Sequence, residues 1–493
     1  MKPLSALIVS PDQRAGALCA RLAGSPFVGS VALVGPAPGG SVDPRVSVIE
    51  AGYPPGGRDL ERALAFSSSA PLLLVITEPL LELEEHELEA LITAARRPGT
   101  AMLYADFFIG SRGRVRPLID YQDGSIRDDF FFGPLQLYCR AAVERALRGQ
   151  GPLSSSSCAG LYELRLKVSC CGRIRRMAEP IGCVPGAERA QAQFAYVDPA
   201  NSQRQREMET VATAHLEHIG ALCRLPPRSF SARRQGWPVE ASVVIPVRNR
   251  CRTIAEAIHS ALGQQTPFDF NVLVVDNHSS DGTTEIVRDC ARRDARVIHI
   301  VPPAEGLAIG GCWNEAVSSA QCGRFVCQLD SDDLYDGPDT LARMIASLQQ
   351  GCGMAVGSYR LVDFSLREIP PGIVDHREWT PENGRNNLLR VQGIGAPRAF
   401  ATELLRVHPF PDVSYGEDYA VALRLSSEYR VGRIYEPLYL CRRWEDNSDA
   451  QISIEQANRF AVYKDRLRTQ EIERRQQQNP DRSGGRPAKD TSA

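Results

Sequence analysis

The sequence predicts an α/β protein of mostly parallel sheets flanked by helices, in two halves of related build. Three observations carry this. From residue 241 short apolar runs alternate with amphipathic ones: SVVIPV, TIAEAIHSALGQQ, NVLVVD, TTEIVRDCARR, RVIHIV, GCWNEAVSSA and RFVCQLD. That alternation implies βαβ units. A Pro-, Arg- and Ser-rich seam, LCRLPPRSFSARRQGWPVEA at 222–241, carries no sustained periodicity and separates this half from the one before it. Finally, LYELRLKVSCCGRIRRMAEPI (161–181) lies ungapped over DYAVALRLSSEYRVGRIYEPL (418–438). Tyr162, Leu166, Ser169, Arg173 and Glu179-Pro180 match Tyr419, Leu423, Ser426, Arg430 and Glu436-Pro437, the mark of an internal repeat.

Taken in order, MKPLSALIVS reads as a first strand, because Pro11, Asp12 and Arg14 follow its apolar run too closely for a signal peptide. MLYADFF (102–108) resembles VCQLDSD (326–332), an apolar strand ending in an acid. SQRQREMETVATAHLEHIGALC spaces Met208, Val211, Ala212, Leu216 and Ile219 as one helical face. The expected division is 1–225, a linker at 226–240, a second domain at 241–450, a helix at 451–476 and a disordered tail at 477–493. On the two pairings, Leu161 stands at Asp418, Gly160 at Glu417 and Phe108 at Asp332, so the first half lacks the acids of the second.

Composition narrows the function. The 493 residues would make about three domains, or two large ones, at roughly 150 residues each. A net charge of −2 gives no basic footprint for nucleic acid. No apolar run approaches the roughly 18 residues of a membrane span, so a soluble, cytoplasmic chain is expected, with peripheral membrane attachment allowed. Fourteen scattered cysteines without a CxxC pair read as reduced, buried thiols, and their spacing does not favour zinc.

The chemistry concentrates in the second half. In QLDSDD, Asp330, Asp332 and Asp333 follow a strand, and carboxylates so close repel unless a cation or hydrogen bonds offset them. Ligands bind at that edge of an open α/β sheet, and hard oxygen donors there suit Mg²⁺ or Mn²⁺ bridging to a diphosphate. The competing reading is a helix N-cap by Asp332 or Asp333. In VVDNHSSDGTTEIV, Asp276 ends a strand where it could accept from a base and a ribose hydroxyl, though the motif is equally a good turn. Gly310-Gly311 ahead of Asn314 would let backbone approach a ligand closely. Glu417 and Asp418 open an amphipathic helix, where the dipole alone would favour acids. LCRRWEDNSD sets Arg443, for phosphate, beside Trp444, which could close over a base or sugar. His376, Trp379 and Arg398 lie in a polar segment between metal loop and acid pair, a candidate acceptor reader.

Together these residues resemble the family 2 glycosyltransferases of the GT-A fold, from about Ser242 to Ser453. SVVIPVRNR is similar to the family's first strand and nucleotide loop, which implies donor contacts at Pro246 and Arg248. VVDNHSSDGT resembles its VDDGSTDGT-type element, placing Asp276 on the base. LDSDD resembles the DxD motif, with Asp330 near the ribose and Asp332 on the metal. GED resembles the catalytic acid pair, which makes Asp418 the general base, and Asn314, Arg443 and Trp444 complete the donor site. The resemblance implies two tandem GT-A-like domains with the first non-catalytic. Its expected reaction is inverting transfer of one sugar from a nucleotide-diphosphate sugar, UDP by default, to a hydroxyl of a glycan, glycolipid or polysaccharide precursor. There are departures: Asn277 and His278 replace the usual Asp-Gly, and Trp444 stands where many relatives carry His. Leu440 occupies the Gln of QxxRW, which favours single-sugar transfer over polymer extrusion. Alternatives are a non-catalytic carbohydrate- or nucleotide-sugar-binding protein and a sugar nucleotidyltransferase. The latter wants a GxGxR-type loop where Pro246 to Asn249 stand.

Overall fold

A computed structural model describes residues 3–12, 14–36, 43–66, 70–186, 201–377, 379–444, 447 and 452–479. The chain divides into two compact units, the first holding residues up to 186 with 201–222 and 454–479, the second holding 223–453. Glu378, Ser448 and residues 480–493 of the expected tail lie outside the described residues.

In the first unit the strands are β1 Leu4–Val9, β2 Val28–Gly35, β3 Val46–Glu50, β4 Leu72–Ile76, β5 Thr100–Ala105, β6 Phe107–Ile109, β7 Val115–Arg116, β8 Leu135–Cys139, β9 Arg173–Met177 and β10 Cys183–Val184. Seven form a sheet in the order β3-β2-β1-β4-β8-β5-β9, and β10-β6-β7 form a small second one. Apolar side chains cover both faces: Leu4, Ile8 and Leu74 on one, Leu7, Val75 and Tyr104 on the other. Central strands such as LLLVI are accordingly apolar throughout.

The second unit holds β11 Ala241–Val247, β12 Phe270–Asp276, β13 Val297–Ile300, β14 Phe325–Gln328, β15 Leu334–Tyr335, β16 Met354–Val362, β17 Glu368–Val374, β18 Arg398–Ala401 and β19 Val431–Arg442. Its sheet runs β13-β12-β11-β14-β18-β16-β19-β15, with β17 against β16. The first seven strands repeat the first unit's order and directions, with β8 and β18 the antiparallel insertions.

Strand register makes the correspondence residue by residue. Met102 opposes Tyr138 and Ile174; Met354 opposes Phe400 and Val431. Ile174 and Val431 are partners in the ungapped 161–181 over 418–438 pairing, so sequence and register agree there. The other pairing does not hold. Strand β14 corresponds to β4, and MLYADFF lies on β5, which corresponds to β16. Tyr138 opposes Leu73 and Phe400 opposes Val326, which sets Thr77 at Asp330, Pro79 at Asp332 and Gln136 at Arg398. Phe108 is therefore not the counterpart of Asp332. Short apolar strands look alike, and only hydrogen-bonded neighbours tell them apart.

Two boundaries also differ from expectation. The seam at 226–240 is tied to the second unit's body: Phe230 N–H donates to Gly351 O at 2.9 Å, and Arg430 N–H to Arg228 O at 2.9 Å. The C-terminal helix, Ile454–Gln478, belongs to the first unit. Its fully buried Asp465 accepts from Ser125 Oγ at 2.8 Å, Arg127 Nε at 3.2 Å and Arg468 Nη1 at 2.7 Å. A buried carboxylate needs such partners, which fixes the helix in place. None of the fourteen cysteines is in a disulfide. Among the described residues no helix is long and apolar enough to cross a membrane.

Candidate active site

Hydrogen bonds stitch together the loops at the carboxyl ends of β11 and β12. Asn249, at φ 54, accepts from Ser280 N–H at 2.8 Å on its side chain and donates its own N–H to Ser279 Oγ at 3.0 Å. Asp281 accepts from Cys251 N–H at 3.0 Å and Thr283 Oγ1 at 2.6 Å. Pro246 and Arg248 sit on this stitched edge, Arg248 exposed. Asp276, 1% exposed, accepts from Ser279 N–H at 3.1 Å and Thr284 Oγ1 at 2.5 Å, with His299 Nε2 at 3.2 Å. Burial opposes its ionisation, but those hydrogen bonds prevail and hold it below the ordinary carboxylate value.

The acids after β14 form a charged knot. Gln328 Nε2 donates to both Asp330 oxygens, at 2.9 and 3.1 Å, and Asp330 N–H donates to Tyr439 Oη at 2.9 Å. Burial, then Asp332 and Asp418, push the Asp330 carboxyl up against the pull of Gln328 and Arg398. Asp333 is raised well above its ordinary value by burial and its two acidic neighbours, although Arg442 N–H donates to it at 2.8 Å. Asp332 Oδ2 receives Trp444 Nε1 at 3.3 Å and Asn447 Nδ2 at 3.4 Å, with Arg250 Nε at 3.8 Å. Neither Asp332 nor Asp333 caps a helix; the next helix, Thr340–Gln349, opens after Asp339.

Across the crevice the helix Glu417–Ser426 begins after Gly416, whose φ of 86 turns the chain into it. Asp418 Oδ2 pairs with Arg398 Nη1, and Oδ1 accepts Tyr419 N–H at 2.6 Å. Arg398 Nε also donates to Gln328 Oε1 at 2.9 Å. Asp330, Gln328, Arg398 and Asp418 thus form one connected chain. Beside it, Glu417 is pushed up to about 8 by burial and then by Asp418, and its buried Oε2 has no hydrogen-bond partner.

Several expected roles change. Arg398 faces the acid pair and is not part of an acceptor loop. His376 is buried beneath Gly395, and Trp379 is buried over Gly384, where a Cβ would meet the indole at 2.4 Å. Both side chains are packed inside the second unit, where they line one small cavity. Asn314 clamps Phe410, with Nδ2 on its carbonyl at 2.8 Å and its N–H on Oδ1 at 3.0 Å. Gly310 and Gly311 admit the 411–412 segment and not a ligand, since a Cβ on Gly310 would lie 1.9 Å from Pro411 O. Arg443 stands half-buried beside Trp444. Arg252 lies over the Trp444 and Phe364 rings, at 5.0 and 5.4 Å. Gln328 and Asn447 went unassigned. Gln328 did give a signal, as the only polar residue in the buried run FVCQL.

The residues 242–404 match the model described as Glycosyl transferase family 2. A putative teichuronic acid biosynthesis glycosyltransferase, TuaG of Bacillus subtilis, is 31% identical over 126 residues, covering 26% of this chain and 49% of that protein. The Escherichia coli enzyme named UDP-Glc:alpha-D-GlcNAc-diphosphoundecaprenol beta-1,3-glucosyltransferase WfgD is 29% identical over 198 residues, 39% of this chain and 72% of its own length. Among solved structures, S. aureus TarS 1–349 in complex with UDP-GlcNAc aligns at 22% identity and a TM-score of 0.37, covering 48% of this chain and 72% of that one. The chain spans about half the length of the first of these relatives, and less of other curated ones. The family match and the mixed sheet of the second unit together give the GT-A fold class, and residues 242–404 of this chain are a glycosyl transferase family 2 domain.

Proposed function

We propose that the second unit transfers a single sugar, with inversion, from a nucleotide-diphosphate sugar to an acceptor hydroxyl. The observation that carries this is the connected chain from Asp330 through Gln328 and Arg398 to Asp418, which sets donor-side acids and a candidate base in one crevice. WfgD, a relative of this chain, is named as a UDP-glucose enzyme, which favours a UDP-sugar donor and a glycan or glycolipid acceptor.

Asp418 takes the proton of the acceptor hydroxyl as that oxygen attacks the anomeric carbon. The bond from that carbon to the diphosphate oxygen breaks, and the nucleoside diphosphate leaves with the electron pair. The carbon passes through oxocarbenium character, as in glycoside hydrolysis. Glu417, protonated at neutral pH, leaves the acid pair with one negative charge, on Asp418. Arg398 holds that carboxylate until the acceptor hydroxyl competes for it.

The donor set fits a divalent ion shared with the substrate. Among the described residues no hydrogen bond reaches Asp332 Oδ1, and a cation would offset the crowded acids beside it. No group of three His, Cys, Asp or Glu side chains converges as a complete cage among the described residues, so Mg²⁺ or Mn²⁺ on Asp332 and Asp330 would draw other ligands from diphosphate and water. When bound, such an ion offsets negative charge on the leaving diphosphate.

Register places Thr77, Pro79, Gln136, Gly160 and Leu161 where the second unit has Asp330, Asp332, Arg398, Glu417 and Asp418. We therefore assign the first unit, a GT-A-like copy, a non-catalytic role. The test is release of UDP from UDP-sugars with Mn²⁺ and a hydroxyl acceptor, in wild type and Asp418→Asn. Donor binding without turnover in wild type would instead support a carbohydrate- or nucleotide-sugar-binding protein.

A further inference from the structure

The first unit contains a cavity of about 760 Å³, remote in sequence from the acids of the candidate active site. It lies between edge strand β9, the turn after the helix Glu85–Ala95, and the Asp120–Tyr121 loop. Four arginines line it, Arg96, Arg97, Arg175 and Arg176, against a single acid, Asp120. Arg176 is neutralised, with Nε on Asp120 at 3.0 Å and Nη1 on Asp106 at 2.9 Å. Arg96, Arg97 and Arg175 have no acidic partner among the described residues. Arg175 is fixed in place by Thr100 Oγ1 at 3.1 Å and Pro98 O at 3.4 Å. Its guanidinium is held below its ordinary value by burial, then by Arg97 and Arg173. Charge on an edge strand discourages strand pairing. That purpose does not require Arg96 and Arg97, which come from a different element, to line the same hollow. The remaining wall is Thr93 and the largely apolar Ala94, Leu103, Ile174 and Met177, with the half-buried ring of Tyr121.

We infer that this cavity is a binding site for a small phosphate ester, its phosphate on Arg97 and Arg175 and its body against Tyr121 and Met177. Guanidinium groups pair bidentately with phosphate, and the volume suits a ligand the size of a sugar phosphate or nucleotide. All lining residues lie in the first unit, so the inference stands whether or not the second unit transfers sugars.

The experiment is calorimetric titration of the full chain, with EDTA present, using inorganic phosphate, glucose 1-phosphate and AMP as probes. Wild type should bind at least one ester more tightly than inorganic phosphate. Arg97→Gln, at an exposed position, and Arg175→Gln should each weaken it by about tenfold or more, while Asp332→Asn should leave it unchanged. Binding lost in Asp332→Asn but kept in both arginine variants would assign the probes to the donor site and overturn the inference. So would no binding of any ester. A flotation arm uses vesicles of equal parts phosphatidylcholine and phosphatidylglycerol. Arginine-dependent vesicle binding without ester binding would show a lipid headgroup site and also overturn it.

Discussion

Arg398 pairs with Asp418 from β18, a strand that sits between β14 and β16 in the sheet, while its Nε donates to Gln328 on β14. One guanidinium thus joins the acids at the end of β14 to the acid opening a distant helix. Burial opposes its charge, yet Asp418 and then Asp330 hold its value above the ordinary one.

Replacing Asp418 by Asn should reduce turnover roughly a hundredfold to ten-thousandfold, the usual worth of a general base. Nucleotide-sugar affinity, measured by calorimetry, should hardly change. Retained turnover would remove Asp418 from the role.

Arg398→Gln should lower kcat and destabilise the fold by about 1–3 kcal/mol, because two half-buried acids lose their counter-charge. The loss in a urea titration should shrink as pH falls and the acids protonate.

Glu417 makes stability depend on pH. Its carboxyl rises from 4.5 in the unfolded chain to about 8 in the fold, so between those values the native state binds the extra proton. This group's contribution is therefore full below about 4.5 and lost as pH rises towards 8. Glu417→Gln should flatten that part of the melting-temperature profile. An unchanged slope would show that Glu417 titrates normally.

Asp332 should govern the metal response. In wild type, UDP with Mn²⁺ should raise the melting temperature more than UDP with EDTA, by mass action on a tighter complex. Asp332→Asn should abolish the difference while still responding to UDP alone.

Asn314→Ala removes both hydrogen bonds to Phe410 and leaves buried backbone groups unpaired. A cost of about 1–3 kcal/mol is expected in chemical denaturation.

By itself the sequence determined the α/β class, and it singled out the acids Asp330, Asp332 and Asp418 as candidates. These signals are local: an apolar run, a turn, a cluster of like charges that requires a reason. It also determined the repeat of helix and strand at 161–181, because that pairing is ungapped. Only the tertiary structure decided which first-unit strand answers to β14, since apolar strands of similar length differ by their neighbours and not by their composition. It alone gave Arg398 to Asp418, turned Asn314 and the paired glycines into supports for residues 410–412, and buried His376 and Trp379. Each of these rests on contacts between residues far apart in sequence, which spacing along the chain does not encode.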